Sequence, residues 1–180
     1  MSTVTPKTRL KNPATIIPEA MAPLQALGQL LGQLKGPPAI ALSLAMLRAS
    51  QLNGCALCIA GSCGLLRGTG ETEDRLFAVS AWRESTRFTA PERAALALAE
   101  AMTRLSDRSD PVPDVIWDEA ALHFDERALA LLVLGIATQN LYNRVNVTTR
   151  QVDWGGVQDS EGSPKWSADA AKEWASKSKG

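Results

Sequence analysis

The feature that most constrains the fold of this chain is a repeated spacing of apolar residues at intervals of three and four. Such spacing places apolar side chains on one face of an α-helix, whereas a half-buried strand alternates with a period of two. No alternating pattern stands out along the chain, so we predict an all-α fold. In residues 18–34, PEAMAPLQALGQLLGQL, the spacing is carried by Met21, Leu24, Leu27, Leu30, Leu31 and Leu34.

Further segments extend this helical pattern along the chain. Residues 39–53, AIALSLAMLRASQLN, are apolar almost all round, which is typical of a helix at the centre of a bundle. Thr89 and Glu92 form a capping box before one helix, and Asp125 is a predicted N-cap of another. We therefore expect a bundle of about six to eight helices. Beyond the two helices already described, the predicted ones cover residues 55–66, 71–84, 90–105, 114–124 and 126–147.

The length of the chain limits its domain organisation. Its 180 residues with 45% hydrophobic content are enough for one core and too few for two comfortable domains. We predict a flexible N-terminal segment over residues 1–15, a helical domain over 16–150 and a C-terminal tail over 151–180. A short helix is predicted within the tail at residues 167–176. The tail contains three tryptophans that are candidates for docking on the core or a neighbouring subunit: Trp154, Trp166 and Trp174.

Charge and hydropathy exclude several classes of partner. The chain has 19 basic and 19 acidic residues with no long run of either sign, so it carries no electrostatic footprint for nucleic acid or an anionic membrane surface. Its first residues lack the apolar segment of a secretory signal, and its longest apolar run, residues 128–137, is about half a membrane span. We expect a cytoplasmic protein with neither a nucleic-acid nor a membrane partner.

All three cysteines fall within nine residues, CALCIAGSC at 55–63. Cys55 and Cys58 are three residues apart, on one face of a helix predicted to begin just after Asn53 and Gly54. The free N–H groups and the positive dipole end at a helix start favour a thiolate over a thiol, which makes such a pair reactive. A thioredoxin-like site is a poor fit because an apolar helix, not a strand, precedes the pair. Redox chemistry, metal binding and plain burial remain as interpretations.

The third cysteine and the single histidine decide the metal hypothesis. Cys63 lies about 140° round the helix from Cys58, so we predict a packing role for it. A metal site would need His123, the only histidine in the chain, as fourth ligand, and three sulfurs on one short helix suit tetrahedral geometry badly. We therefore expect no metal and no other cofactor. His123 is predicted to pack or cap the end of its own helix.

The order of these segments resembles the alkylhydroperoxidase D-like (AhpD-like) or carboxymuconolactone decarboxylase family. The resemblance rests on LRASQLNGCALC, GETEDRLFAVSAWRE, TAPERAALALAEAMTRL and HFDERALALLVLGIATQNLYNR, and it covers about residues 15–150. It implies an all-helical fold that assembles into homo-oligomers. In the thiol-active branch it also implies a peroxidase whose disulfide is reduced again by a dithiol such as lipoamide.

The resemblance also implies roles for individual residues. Cys58 matches the cysteine that attacks the peroxide, and Cys55 matches the one that resolves the sulfenic acid into a disulfide. The family motif C-x-x-C-x-x-x-H has a histidine at the position of Ser62, and a family glutamate falls at Ser43. A serine hydroxyl cannot act as a base near neutral pH, so we expect weak peroxidase activity. Glu100, a charge within an apolar helix, is a further candidate replacement for the acid–base group.

Two classes of function follow from these residues. The first is an enzyme that acts on a hydroperoxide or a disulfide through Cys55 and Cys58. The alternative is a non-peroxidase, an oligomeric binding or redox-sensing protein that retains the fold. The cysteine pair favours the first, the missing histidine favours the second, and nothing in the residues independently supports decarboxylase chemistry. A polar stripe on the last long helix, predicted to form an interhelix or intersubunit hydrogen-bond network, comprises Asn140, Asn143 and Arg144.

Overall fold

The computed structural model describes residues 7–151, which fold into eight α-helices and two short 3-10 helices without a strand. This confirms the predicted all-α class. The predicted tail helix and the three tail tryptophans lie outside the described residues. The α-helices are α1 Pro13–Ile16, α2 Pro18–Leu31, α3 Pro37–Leu52, α4 Ala56–Gly68, α5 Glu73–Ala78, α6 Ala90–Thr103, α7 Asp114–His123 and α8 Glu126–Thr149.

Helix α3 forms the centre of the bundle, as its apolar sequence predicts. It packs against α4, α6 and α8, and both Leu44 and Leu47 are fully buried. Helix α8 lies close to it at Gly135, where an added Cβ would lie 2.5 Å from Leu42 Cδ1. This close approach holds the middle of α8 against α3, so that polar side chains further along α8 face the end of α3.

The predicted helix over residues 71–84 is wrong in its second half. Helix α5 ends at Ala78, a 3-10 helix covers Val79–Ala81, and the chain then turns. Arg93, on α6, donates hydrogen bonds to the carbonyl oxygens of Trp82 and Ser85, both at 3.0 Å. A tertiary contact therefore takes up carbonyl groups in this stretch, and it outweighs the local preference for a continuous helix.

Helix ends elsewhere follow local chemistry. The capping box of Thr89 and Glu92 and the N-cap of Asp125, which accepts from the Ala128 N–H at 2.8 Å, are confirmed. Helix α2 ends at Leu31, earlier than predicted. Pro37 and Pro38 lie in the first turn of α3, where a missing N–H costs nothing.

The N-terminal segment contacts the end of α8. The Arg9 N–H donates to the Thr149 carbonyl at 2.9 Å, and Gln151 Nε2 donates to the Leu10 carbonyl at 2.8 Å. Part of the segment predicted to be flexible is therefore hydrogen-bonded to the bundle, while the boundaries at residues 15 and 150 stay a prediction. No helix between residues 7 and 151 is long and apolar enough to cross a membrane.

A tight turn at Gly54 joins α3 directly to α4. Gly54 has φ +64°, its N–H bonds the Gln51 carbonyl at 3.2 Å, and the Cys55 N–H bonds the Ser50 carbonyl at 3.1 Å. These two bonds are the Schellman pattern, which satisfies carbonyl groups at a helix end. The turn makes Cys55 the N-cap of α4 rather than a residue of its first turn, where we had predicted it, and Cys58 the third residue of that helix.

We expect Gly54→Ala to lower the free energy of unfolding by about 1–2 kcal/mol, because a residue with a Cβ is strained at this left-handed φ. Nothing lies within 4 Å of the added Cβ, so the loss is conformational and not a clash. Gly64→Ala, in the exposed part of α4 with equally open space, is the matched control and should gain up to about 1 kcal/mol. Urea unfolding measures both, and equal midpoints would contradict the prediction.

Candidate active site

Cys55 and Cys58 meet at the start of α4. They are joined by a disulfide with their Cα atoms 5.3 Å apart. Both are buried, Cys55 with 2% of its surface exposed and Cys58 with 9%. As N-cap, Cys55 accepts the Cys58 backbone N–H on its sulfur at 3.3 Å. The fold thus brings the two predicted redox cysteines together and aims the positive end of a helix at them.

A polar side chain that sequence reasoning missed also reaches this pair. Asn146, on α8, is buried and donates from Nδ2 to Cys58 Sγ at 3.3 Å. Its position three residues after Asn143 continues the polar stripe of that helix, which was the available signal. The sequence could not show that α8 packs against α4 at this level.

The predicted polar stripe on α8 forms an interhelix network with the end of α3. Asn53 Nδ2 donates to Asn140 Oδ1 and to Asn143 Oδ1, both at 2.9 Å. Ser50 Oγ accepts from Gln139 Nε2 at 2.9 Å and from Asn143 Nδ2 at 3.2 Å. The interhelix part of the prediction is confirmed, and the network fixes α8 relative to the turn that carries Cys55.

The two serines at the expected histidine and glutamate positions make no hydrogen bond with a sulfur. Ser62 is buried on α4, one turn beyond Cys58, and between residues 7 and 151 its hydroxyl has no hydrogen-bond partner. Ser43 is buried on α3 and donates to the Ala39 carbonyl of its own helix at 2.9 Å. Neither hydroxyl has a basic group to pass a proton to, so neither replaces an acid–base relay.

Glu100 lies in an ion-pair cluster. Its carboxylate accepts from Arg48 Nε at 2.7 Å, from Trp82 Nε1 at 3.0 Å and from Arg83. Burial acts to raise the pKa of Glu100, but the hydrogen bonds from these three donors hold that pKa below its usual value. Within the described part of the chain it bonds neither sulfur. The structure therefore does not bring this candidate relay residue together with the dithiol.

Cys63 packs against a core cluster, as predicted, and His123 lies in the last turn of its helix. Cys63 is a free, half-buried thiol on α4; burial raises its pKa, Arg67 lowers it and Glu73 raises it, with a net increase. His123 ends α7, with Nε2 3.0 Å from Glu119 Oε1 on the same helix. The residues from 7 to 151 contain no group of three His, Cys, Asp or Glu side chains that could hold a metal ion.

The chain is similar to known proteins in sequence and in fold. The sequence model of the carboxymuconolactone decarboxylase family matches residues 18–101. The uncharacterized protein YdfG of Bacillus subtilis is 38% identical over 104 residues, which are 58% of this chain and 69% of YdfG. The uncharacterized protein YnjA of Escherichia coli is 38% identical over 105 residues, which are 58% of this chain and 56% of YnjA.

A solved structure has a similar fold. It is a protein of unknown function from Agrobacterium tumefaciens, with a suggested identity as the antioxidant defence protein AhpD. It is 31% identical, has a TM-score of 0.74, and the match covers 84% of this chain and 100% of that one. Together with the family match, this shows that the chain belongs to the carboxymuconolactone decarboxylase family and has the AhpD-like helical fold.

Proposed function

We propose that this protein is a thiol-dependent peroxidase of the alkylhydroperoxidase type, with Cys58 as the attacking and Cys55 as the resolving cysteine. The observation that carries the proposal is the buried pair at the start of α4, whose sulfurs are close enough to bond. Family membership supports it, as does the solved relative with a suggested antioxidant role. The larger exposure of Cys58 favours it as the sulfur that meets the peroxide.

In the proposed reaction the two cysteines reduce the hydroperoxide, and an external dithiol then reduces the cysteines. The Cys58 thiolate attacks the terminal oxygen of the hydroperoxide, an S–O bond forms, the O–O bond breaks, and the alkoxide takes a proton from water. The Cys55 thiol then displaces water from the Cys58 sulfenic acid to give the disulfide, which protects Cys58 from further oxidation. A dithiol such as dihydrolipoamide returns two electrons and two protons by thiol–disulfide exchange.

The proposed activity is slow because the site lacks a proton carrier. In the described residues, the groups that hydrogen-bond the two sulfurs are the Cys58 backbone N–H and the Asn146 amide. Neither gains or loses a proton near neutral pH. A positioned general acid or base contributes about a hundredfold or more, so we expect a rate constant lower by that factor than with a histidine relay.

The test is oxidation of the reduced protein with a slight excess of an organic hydroperoxide. We expect the intact mass to fall by about 2 Da, with the new linkage mapped to Cys55 and Cys58. Added dihydrolipoamide should then support repeated turnover. Thiols that stay reduced over many minutes, while a thiol peroxidase control is oxidised, would rule out the peroxidase proposal.

A redox-sensing role is the second candidate, favoured by the absence of a titratable side chain bonded to either sulfur within residues 7–151. A sensor needs one oxidation event rather than rapid turnover. The same assay separates the two, because a sensor forms the disulfide without sustained consumption of hydroperoxide in the presence of dihydrolipoamide.

Assembly into homo-oligomers is part of either proposal, and exposed Leu134 and Leu141 on the outer face of α8 support it.

We expect Ser62→His to raise the rate of peroxide oxidation by about ten- to a hundredfold, because it puts an imidazole one helical turn beyond Cys58. Ser62→Gln is the matched control, since glutamine is similar in size to histidine and transfers no proton. Thiol loss after timed quenching measures both rates. Equal rates in the two variants would mean that an imidazole at this position does not act on Cys58.

A further inference from the structure

We propose that Asn146 is a further catalytic residue of the dithiol, whose side-chain amide stabilises the Cys58 thiolate and thereby makes Cys58, rather than Cys55, the nucleophile. The inference deepens the proposed function and rests on it for its biological meaning. Which of the two sulfurs holds the negative charge is a property of the reduced protein and does not depend on peroxide.

The contact that carries the inference is direct and buried. Asn146 Nδ2 lies 3.3 Å from Cys58 Sγ, within hydrogen-bond range for sulfur, and Asn146 is 9% exposed. It is the one side chain of residues 7–151 that hydrogen-bonds either cysteine sulfur. An amide N–H donates and does not titrate, so it favours the thiolate across the whole working pH range.

The reactive form carries one negative charge, which either sulfur could hold. The backbone groups favour Cys55, whereas the proposed nucleophile is Cys58. Cys55 is the N-cap of α4, and its sulfur accepts the Cys58 N–H at 3.3 Å. Helix-start groups of this kind stabilise an anion, so by themselves they would place the charge on Cys55. That sulfur belongs to a residue only 2% exposed and is the harder one for a hydroperoxide to reach.

Asn146 shifts the negative charge towards Cys58, because of the two sulfurs it donates a hydrogen bond only to that of Cys58. A donor on α8 approaches from outside α4, so it adds to the helix-start field at Cys58 and adds no hydrogen bond at Cys55. The same N–H can follow the sulfur through thiolate, sulfenic acid and disulfide without giving up a proton. Asn146 thus supplies hydrogen-bond stabilisation in a site where Ser62 supplies no imidazole.

The expected effect follows from the strength of a hydrogen bond to a charged group. Its loss should raise the pKa of the Cys58 thiol by about one unit or more. At pH 7 this lowers the thiolate fraction about tenfold, while the more basic thiolate is about threefold more nucleophilic. The net loss in alkylation rate is therefore about threefold, and the pKa shift is the sharper readout.

The experiment is alkylation of the reduced protein by limiting iodoacetamide, with a Cys63→Ser background and peptide mapping to assign each modified cysteine. Asn146→Leu should raise the pKa of Cys58 and move part of the alkylation to Cys55. The matched control is Thr138→Val. Thr138 is also a buried polar residue on α8, 4% exposed, but its hydroxyl donates to the Leu134 carbonyl of its own helix and not to a sulfur.

A second variant tests the inference in case Asn146→Leu does not fold. Asn146→Asp keeps the side-chain shape, removes both N–H donors and adds a negative charge, so it should raise the pKa of Cys58 further. An Asn146 variant whose Cys58 titrates as in the parent, or a Thr138→Val variant with an equal shift in the pKa of Cys58, would overturn the inference. If the parent protein ignores hydroperoxide while Asn146→Leu still shifts the pKa, the proposed peroxidase function fails and the inference stands.

Discussion

Replacing Cys58 with serine is expected to abolish peroxide-driven oxidation of the protein, the largest effect that we predict for a single substitution. A serine hydroxyl is not ionised near neutral pH and is a far weaker nucleophile than a thiolate. The remaining pair partner, Cys55, is almost completely buried. Intact mass after exposure to an organic hydroperoxide should therefore show neither a loss of about 2 Da nor the gain of oxygen at this site.

Matched cysteine variants make this prediction specific. Cys55→Ser should still react once with hydroperoxide, stop at the Cys58 sulfenic acid, and give an adduct with a sulfenic-acid trap before excess oxidant carries it further. Cys63→Ser should behave like the parent, because burial raises the pKa of the Cys63 thiol and keeps it protonated. If Cys58→Ser were oxidised as fast as the parent, Cys55 or Cys63 would have to be the attacking residue.

Glu100→Leu is expected to lower the free energy of unfolding by about 3–5 kcal/mol, the second large effect. The carboxylate, 12% exposed, joins Arg48 on α3 to Trp82 and to Arg83 in the turn after α5. Its removal leaves the Arg48 guanidinium, 16% exposed, and the Trp82 N–H without their buried acceptor. Breaking one side of a buried ion pair costs this much because the remaining charge is desolvated and unpaired.

An exposed ion pair provides the control for this prediction. Arg67 and Glu73 also form an ion pair, but their side chains are 52% and 50% exposed, so water and salt screen their attraction. Glu73→Gln should leave the urea midpoint almost unchanged. Similar losses in the two variants would mean that the Glu100 cluster is no more important to stability than a surface pair.

The pH dependence of the Glu100 effect has a definite sign. The pKa of Glu100 is lower in the folded protein than its usual value, so its contribution is fully present above that usual value and is lost as the pH falls through the folded pKa. The difference in unfolding free energy between the parent and Glu100→Leu should therefore narrow in acid. A difference that stays constant from neutral pH into acid would contradict the assignment of an ionised Glu100.

Sequence patterns predicted those parts of the fold that depend on nearby residues. The Thr89 and Glu92 capping box, the Asp125 cap and the position of the cysteine pair at a helix start each involve side chains within about four residues of one another. The helix predicted over residues 71–84 failed in its second half, where Arg93, from the following helix, binds the carbonyl groups of Trp82 and Arg83. Local propensity carries no information about such a contact.

The candidate site also has parts that local sequence patterns predict and parts that only tertiary packing decides. Short-range spacing was enough to predict the all-α class and the Cys55 and Cys58 pair, because periodicity and caps are properties of adjacent turns, and the resemblance of four segments indicated the family. Packing between helices determined the rest. Contact of α8 with α4 brings Asn146 to Cys58, 88 positions apart in the chain, and contact of α6 with α3 pairs Glu100 with Arg48, 52 positions apart. Hydrogen bonds between distant segments depend on how helices cross in space, and that depends on the side chains of the entire core.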